Sequence, residues 1–130
     1  MFGLLKSKPA PEGPVEFDLA VEVDRPAAEV YPLIDWADPR NAKRELGHRV
    51  DGIDGQRDRF RLTMTEMPDH RFDLTVTEVV PGQTYAFTCD IAPRVGRLVS
   101  TAERYSFEPI GGERCKLRPT TVATFNNGLP

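Results

Sequence analysis

From Val15 the chain alternates: Val15, Phe17, Leu19, Val21 and Val23 are apolar, and Glu16, Asp18, Ala20, Glu22 and Asp24 stand between them. Successive side chains of a strand point to opposite faces, so this period of two predicts a strand with one face on a core and one in water. The period then changes. In DRPAAEVYPLIDW, Ala27, Val30, Leu33 and Ile34 share one helical face, and Pro26 suits a first helical turn, where a missing N–H costs nothing. Pro32 falls inside this helix, removes a backbone hydrogen bond and predicts a kink or an early end. Asp38 and Pro39 suit the cap and first turn of a second short helix through NAKREL, with Gly47 as its stop.

After Gly47 the pattern is a meander of strands separated by turns. GHRVDGIDG, RDRFRLTMTEM and HRFDLTVTEVV are bounded by Asp-Gly pairs and Pro68-Asp69. Beyond Pro81-Gly82 come TYAFTCDI, GRLVSTAERYSFEP, the turn Ile110-Gly111-Gly112, and ERCKLRPTTVATF. The count is about seven strands with two short helices after the first, an α+β class. The apolar parities agree from strand to strand: Phe60, Leu62, Met64; Phe72, Leu74, Val76; Tyr85, Phe87, Cys89, Ile91; Val99, Tyr105, Phe107; Cys115, Leu117. One antiparallel sheet with one greasy face follows. A helix of about 20 residues covers only about 30 Å by 10 Å, and the two helices here are shorter, so the greasy face needs further cover. A helix beyond Pro130, a partner subunit in a homodimer, or a bound ligand would each supply it.

At 130 residues the chain suits one core. Residues 1–14, with three prolines and two glycines, read as a flexible leader, and 15–130 as the domain. No run approaches the roughly 20 apolar residues of a membrane span, and Phe2, Leu4 and Leu5 fall short of a secretory signal. A soluble, cytoplasmic protein without stable membrane insertion is the expectation. Lysine plus arginine number 17 against 20 acidic residues, which gives no global pull toward nucleic acid. Arg57, Arg59 and Arg61 alternate along one strand and read as its solvated outer face. Cys89 and Cys115 lack redox or zinc spacing, and His48 and His70 are the only histidines, so neither metal nor cofactor is expected. No G-x-S-x-G, G-x-x-x-x-G-K-S/T or G-x-G-x-x-G motif supports a hydrolase, triphosphate or dinucleotide reading.

The order strand, two short helices, six-strand meander resembles the START-like or SRPBCC superfamily of helix-grip folds, which includes polyketide cyclases and lipid-transfer domains. The carriers are VEVDRPAAEVYPLIDWAD, VTEVVPGQTYAF and the hairpin YSFEPIGGERCKL, and the resemblance covers nearly everything from Val15 to Phe125. It implies a curved antiparallel sheet that holds an apolar small molecule, such as a lipid, quinone or polyketide, against helices. It also implies a long C-terminal closing helix, into which a turn like Gly128-Leu129 leads; that helix is not in this sequence. A polyketide cyclase or dehydratase, or a protein-interaction module using the concave face, are the alternatives.

The inward parity of the sixth strand reads Val99, Thr101, Glu103, Tyr105, Phe107, which sets one carboxylate in a greasy or neutral row. Glu103 is the candidate for chemistry, as a base, an acid or a partner for ligand oxygen. The expected ligand-binding wall joins Thr101, Glu103, Tyr105 and Val99 to Phe60, Leu62, Met64, Phe72, Leu74, Val76, Tyr85, Phe87 and Cys89, with Tyr31 and Trp36 at the mouth. Glu66 and Glu78 continue inward parities near strand ends and read as rim positions. His70 opens a strand and reads as a surface residue. Neighbour pairing in the meander places the strand from 97 to 108 between Cys89 and Cys115, roughly 9 to 10 Å apart, whereas a disulfide needs Cα atoms within about 7 Å. Thiol titration of unfolded, unreduced protein should therefore find two reactive groups per chain; fewer than two contradicts this strand order.

Overall fold

The computed structural model describes residues 13–128. Most of the expected leader and Leu129 of the Gly-Leu turn lie outside them. In chain order the elements are β1 (Val15–Asp18), β2 (Val21–Val23), α1 (Ala27–Ile34), α2 (Ala42–Glu45), β3 (Arg49–Gly52), β4 (Arg59–Met64), β5 (Met67–Val80), β6 (Thr84–Val95), β7 (Leu98–Ile110) and β8 (Arg114–Phe125). One antiparallel sheet runs β1-β8-β7-β6-β5-β4-β3, with β2 also on β8.

The first alternating segment is one strand in register and two in hydrogen bonding. Asp18 faces Thr120 and Val21 faces Leu117, so the pairing continues unshifted across the gap. Leu19 N–H donates to the Pro119 carbonyl at 3.2 Å, and Pro119 has no N–H to return the bond. A proline on the partner strand is what raises about seven strands to eight. The β4–β5 turn also moves. Met64 pairs with Met67 around Thr65 and Glu66, so Pro68 and Asp69 belong to β5 rather than to the turn.

Both helices are short because their sequences stop them. Pro26 caps α1, Pro32 lies in its last turn, and Asp35 beyond it is extended. The cap of α2 is Asn41, not Asp38: the Asn41 side chain accepts from Lys43 N–H at 2.9 Å. Its amide also donates to the Ile34 and Asp35 carbonyls, at 3.3 and 3.1 Å, and the residue is only 2% exposed. Asp38 instead closes a tight turn onto Arg40 N–H and pairs with the Arg40 guanidinium. Arg44 ties α2 down by donating to the carbonyls of Val50 and Trp36.

α1 packs on β7 and α2 on β3. Between them and the sheet lies the core: Val30, Tyr31 and Trp36 against Phe60, Leu62, Phe72, Leu74, Tyr85, Phe87, Cys89, Ile91 and Phe107. The uncovered greasy face is therefore narrower than the alternation alone suggests. It includes Phe17 and Leu19 at the β1–β2 edge, 56% and 62% exposed, and Val79 on β5, which shares the face of its partner Tyr85. Cys89 and Cys115 are buried free thiols on β6 and β8, separated by β7. Arg61 faces Asp73 on the outer side, bonded at 2.7 Å, and holds that carboxyl below its ordinary range. Among the described residues no helix is long and apolar enough to cross a membrane.

Asn41 satisfies three backbone groups in a place water does not reach, so Asn41→Ala should lower stability by about 2 to 3 kcal/mol. Asp38→Ala, whose bonds are exposed, should cost much less. Urea denaturation of the two variants measures both; equal losses would remove Asn41 as the anchor of the helical layer.

Candidate functional site

The inner face of β4 to β7, the end of α1 and the start of α2 enclose a hollow of about 480 Å³. Its sheet wall is Leu62 and Met64 from β4, Phe72 and Leu74 from β5, Phe87, Cys89 and Ile91 from β6, and Leu98, Thr101, Glu103 and Tyr105 from β7. Leu33, Ile34, Trp36, Asn41, Ala42 and Lys43 close the other side. The strand residues converge because the β6–β7 register is unbroken from Thr84↔Ser106 to Asp90↔Ser100, which puts Tyr105 beside Tyr85, Glu103 beside Phe87 and Thr101 beside Cys89.

Ten of the fifteen wall residues expected from sequence line this hollow: Trp36, Leu62, Met64, Phe72, Leu74, Phe87, Cys89, Thr101, Glu103 and Tyr105. Phe60, Tyr85 and Tyr31 are spent in the packed core instead. Tyr31 meets Tyr85 edge-on at 5.8 Å and Phe107 at 5.7 Å, and its hydroxyl donates to the Thr84 carbonyl. Tyr85 is 1% exposed and accepts from Trp36 N–H at 3.0 Å. Burial above all pushes the Tyr31 phenol up to about 12 and that of Tyr85 further in the same direction. Val76 packs against the core without lining the hollow.

Two bulges account for the remaining differences. Between Leu98 and Ser100 the β7–β8 register shifts by one, and Val99 is the extra residue. Leu98 thereby takes the inward place, while Val99 lines a separate depression beside Pro93, Arg94 and Asn126. Between Val76 and Glu78 the β5–β6 register shifts likewise, with Thr77 extra. Glu78 then stands opposite Ala86, on the outer face rather than at the inward rim. There Arg104 Nε donates to it at 3.0 Å and Thr84 Oγ1 at 3.2 Å, and the Arg104 bond holds its carboxyl below the ordinary range. Glu66 sits exposed in the β4–β5 turn, and His70 lies on β5 with its Nδ1 buried and unpartnered among the described residues.

Glu103 lies inward and half-buried. Tyr105 Oη–H donates to its Oε1 at 2.9 Å, and Thr101 Oγ1–H to its Oε2 at 3.1 Å. Burial, then the adjacent Glu103 charge, hold the Tyr105 phenol above its usual range, so it stays a donor. Burial and then the same charge push the Cys89 thiol up to about 12, which keeps it an inert apolar wall group. Around the carboxylate stand rings: Phe87 stacks on Tyr105 at 6.2 Å, and Trp36 meets Phe87 edge-on at 5.4 Å. Trp36 is 6% exposed, and its indole N–H is a buried donor with no partner among the described residues. No group of three or more His, Cys, Asp or Glu gathers as metal ligands do among those residues. Besides Leu98, sequence reasoning missed Leu33, Ile34, Asn41, Ala42, Lys43 and Ile91 as wall; NAKREL marks the second helix, but nothing in it tells which side faces the sheet.

No protein-family model matches the chain, and no curated protein sequence does. Solved structures do. Ara h 8.0201 superposes with a TM-score of 0.73 at 12% identity, over 91% of this chain and 82% of its own. An uncharacterised protein from Bacillus thuringiensis gives 0.67 at 10% identity, over 88% and 82%. A START superfamily protein from Mycobacterium smegmatis gives 0.59 at 15% identity, over 88% and 80%. At such identities the likeness speaks for architecture. The eight-stranded antiparallel sheet with its two short helices, superposing over most of each of these chains, is a helix-grip fold.

Proposed function

We propose that this protein binds an apolar small molecule in the hollow between the sheet and the helices, with Glu103 as the polar group that orients it. The observation that carries the reading is the inward carboxylate in a largely apolar wall that includes Leu62, Phe72, Leu74, Phe87 and Ile91. Pockets for small ligands have this composition, mostly apolar with a few placed polar groups. A volume of about 480 Å³ suits a molecule of lipid, quinone or polyketide size. Trp36 adds support: its buried indole donor is the kind of unsatisfied group that a ligand oxygen completes.

The bond between Tyr105 and Glu103 favours a second reading, in which the carboxylate accepts a proton from a bound polyketone as a cyclase or dehydratase requires. Turnover of a candidate polyketone, lost in Glu103→Gln, separates catalysis from carriage.

Native mass spectrometry of freshly purified protein should show one small-molecule adduct per chain. For a ligand that offers a hydroxyl to Glu103, Glu103→Gln should change affinity by about 1 to 3 kcal/mol, as hydrogen bonds to charged groups do. Glu78→Gln, on the other face of the sheet, should leave it nearly unchanged. Equal effects in calorimetric titrations would take Glu103 out of the site.

A further inference from the structure

The Glu103 end of the hollow has an unusual imbalance of donors and acceptors. Its two neighbouring hydroxyls, Thr101 and Tyr105, both point their hydrogens at the carboxylate. They are spent as donors, while an ionised carboxylate accepts about four hydrogen bonds and receives two here. What Glu103 and its two hydroxyl neighbours offer a ligand is therefore acceptor capacity and negative charge, and the free donor nearby is the Trp36 indole N–H. The ion pairs of the described residues all lie elsewhere, and none includes Glu103.

Lys43 is the other charged group in the wall. It sits on α2, which packs on β3, four strand steps from β7. No ion pair joins it to Glu103 among the described residues. Beside Glu103 the surroundings are aromatic. Phe87 is its direct cross-strand partner, Tyr105 stacks on Phe87, and Trp36 stands edge-on to the same ring. A carboxylate with no ion-pair partner among the described residues, with aromatic rings beside it in an apolar hollow, suits an ammonium group, which gains from the charge and from the rings together.

We infer that the ligand is an apolar molecule bearing an amine, whose ammonium docks on Glu103 beside Phe87 and Tyr105. The inference rests on the hollow being a ligand site and specifies the chemistry of one end of it. An acceptor-only molecule, such as a quinone, finds no free hydroxyl donor at that end.

Calorimetric titration with 4-phenylbutylamine, 4-phenylbutanol and 4-phenylbutanoate at pH 7 tests it, since the three share one apolar body. The amine should bind at least about ten-fold more tightly than the alcohol, and the acid most weakly. In Glu103→Gln the amine preference should vanish, the amine losing at least about ten-fold more affinity than the alcohol, and an unchanged far-ultraviolet circular dichroism spectrum shows that the variant is folded. Glu78→Gln should keep the preference, excluding a general effect of lost negative charge. Amine and alcohol binding equally, or a preference that survives Glu103→Gln, overturns the inference and leaves the hollow as a binding site. Failure of all three probes to bind overturns the inference and the site reading together.

Discussion

The pairing of β6 with β7 keeps one register from Thr84 to Asp90, and every inward side chain of the site depends on that continuity. A strand alternates faces with a period of two, so a slip of one residue would carry Glu103 to the outer face and bring Ala102 or Arg104 inward. Burial holds the register in place. Tyr85, Phe87 and Cys89 on β6 are inside only in this alignment, and Phe107 on β7 obeys the same parity. The carboxylate is thus inward because aromatic and aliphatic neighbours on two strands must be. Its charge is tolerated through the hydroxyls of Thr101 and Tyr105, which share its face by the same alternation.

The helical layer uses a different kind of restraint. Eight residues of α1 and four of α2 are too few to be stable by propensity, and Pro32 weakens the first further. Their place over the sheet comes from side chains that reach backbone groups. Asn41 joins the end of α1 to the start of α2, Arg44 joins α2 to β3 and to Trp36, and Tyr31 and Tyr85 tie α1 and the following loop to β6. This leaves space rather than close packing between Trp36, Lys43 and the strand wall, and that space is the hollow. Structure and proposed function meet there, since a layer anchored by hydrogen bonds at its ends spans a gap that a continuous packed helix would fill.

Much of this was legible in the alternation of the chain. The meander, the two helices after the first strand, the inward row of β4 to β7 and the position of Glu103 all follow from period two meeting period 3.6. What was hidden depends on partners that sequence order does not reveal. The bulges at Thr77 and Val99 exist only relative to the neighbouring strands, and they moved Glu78 to the outer face and replaced Val99 by Leu98 in the wall. The break between β1 and β2 was set a hundred residues away by Pro119. Asp38 looked the better cap because it precedes a proline, yet Asn41 can both donate and accept, which its three backbone partners require. Tyr31, Phe60 and Tyr85 look like wall residues in a list of parities; only packing in three dimensions divides core from cavity.

A ligand that enters between the inner sheet face and the helices would meet Trp36. The chain has a single tryptophan, so its indole N–H gives one assignable cross-peak in a nitrogen–proton spectrum, and it belongs to a residue of the hollow's wall. Titration with an apolar molecule that binds should move that peak together with the amides of Phe87, Thr101 and Glu103, while Arg61 and Asp73 on the outer face stay still. Saturable binding that shifts the outer-face amides and leaves the Trp36 indole unmoved would place the ligand outside the hollow.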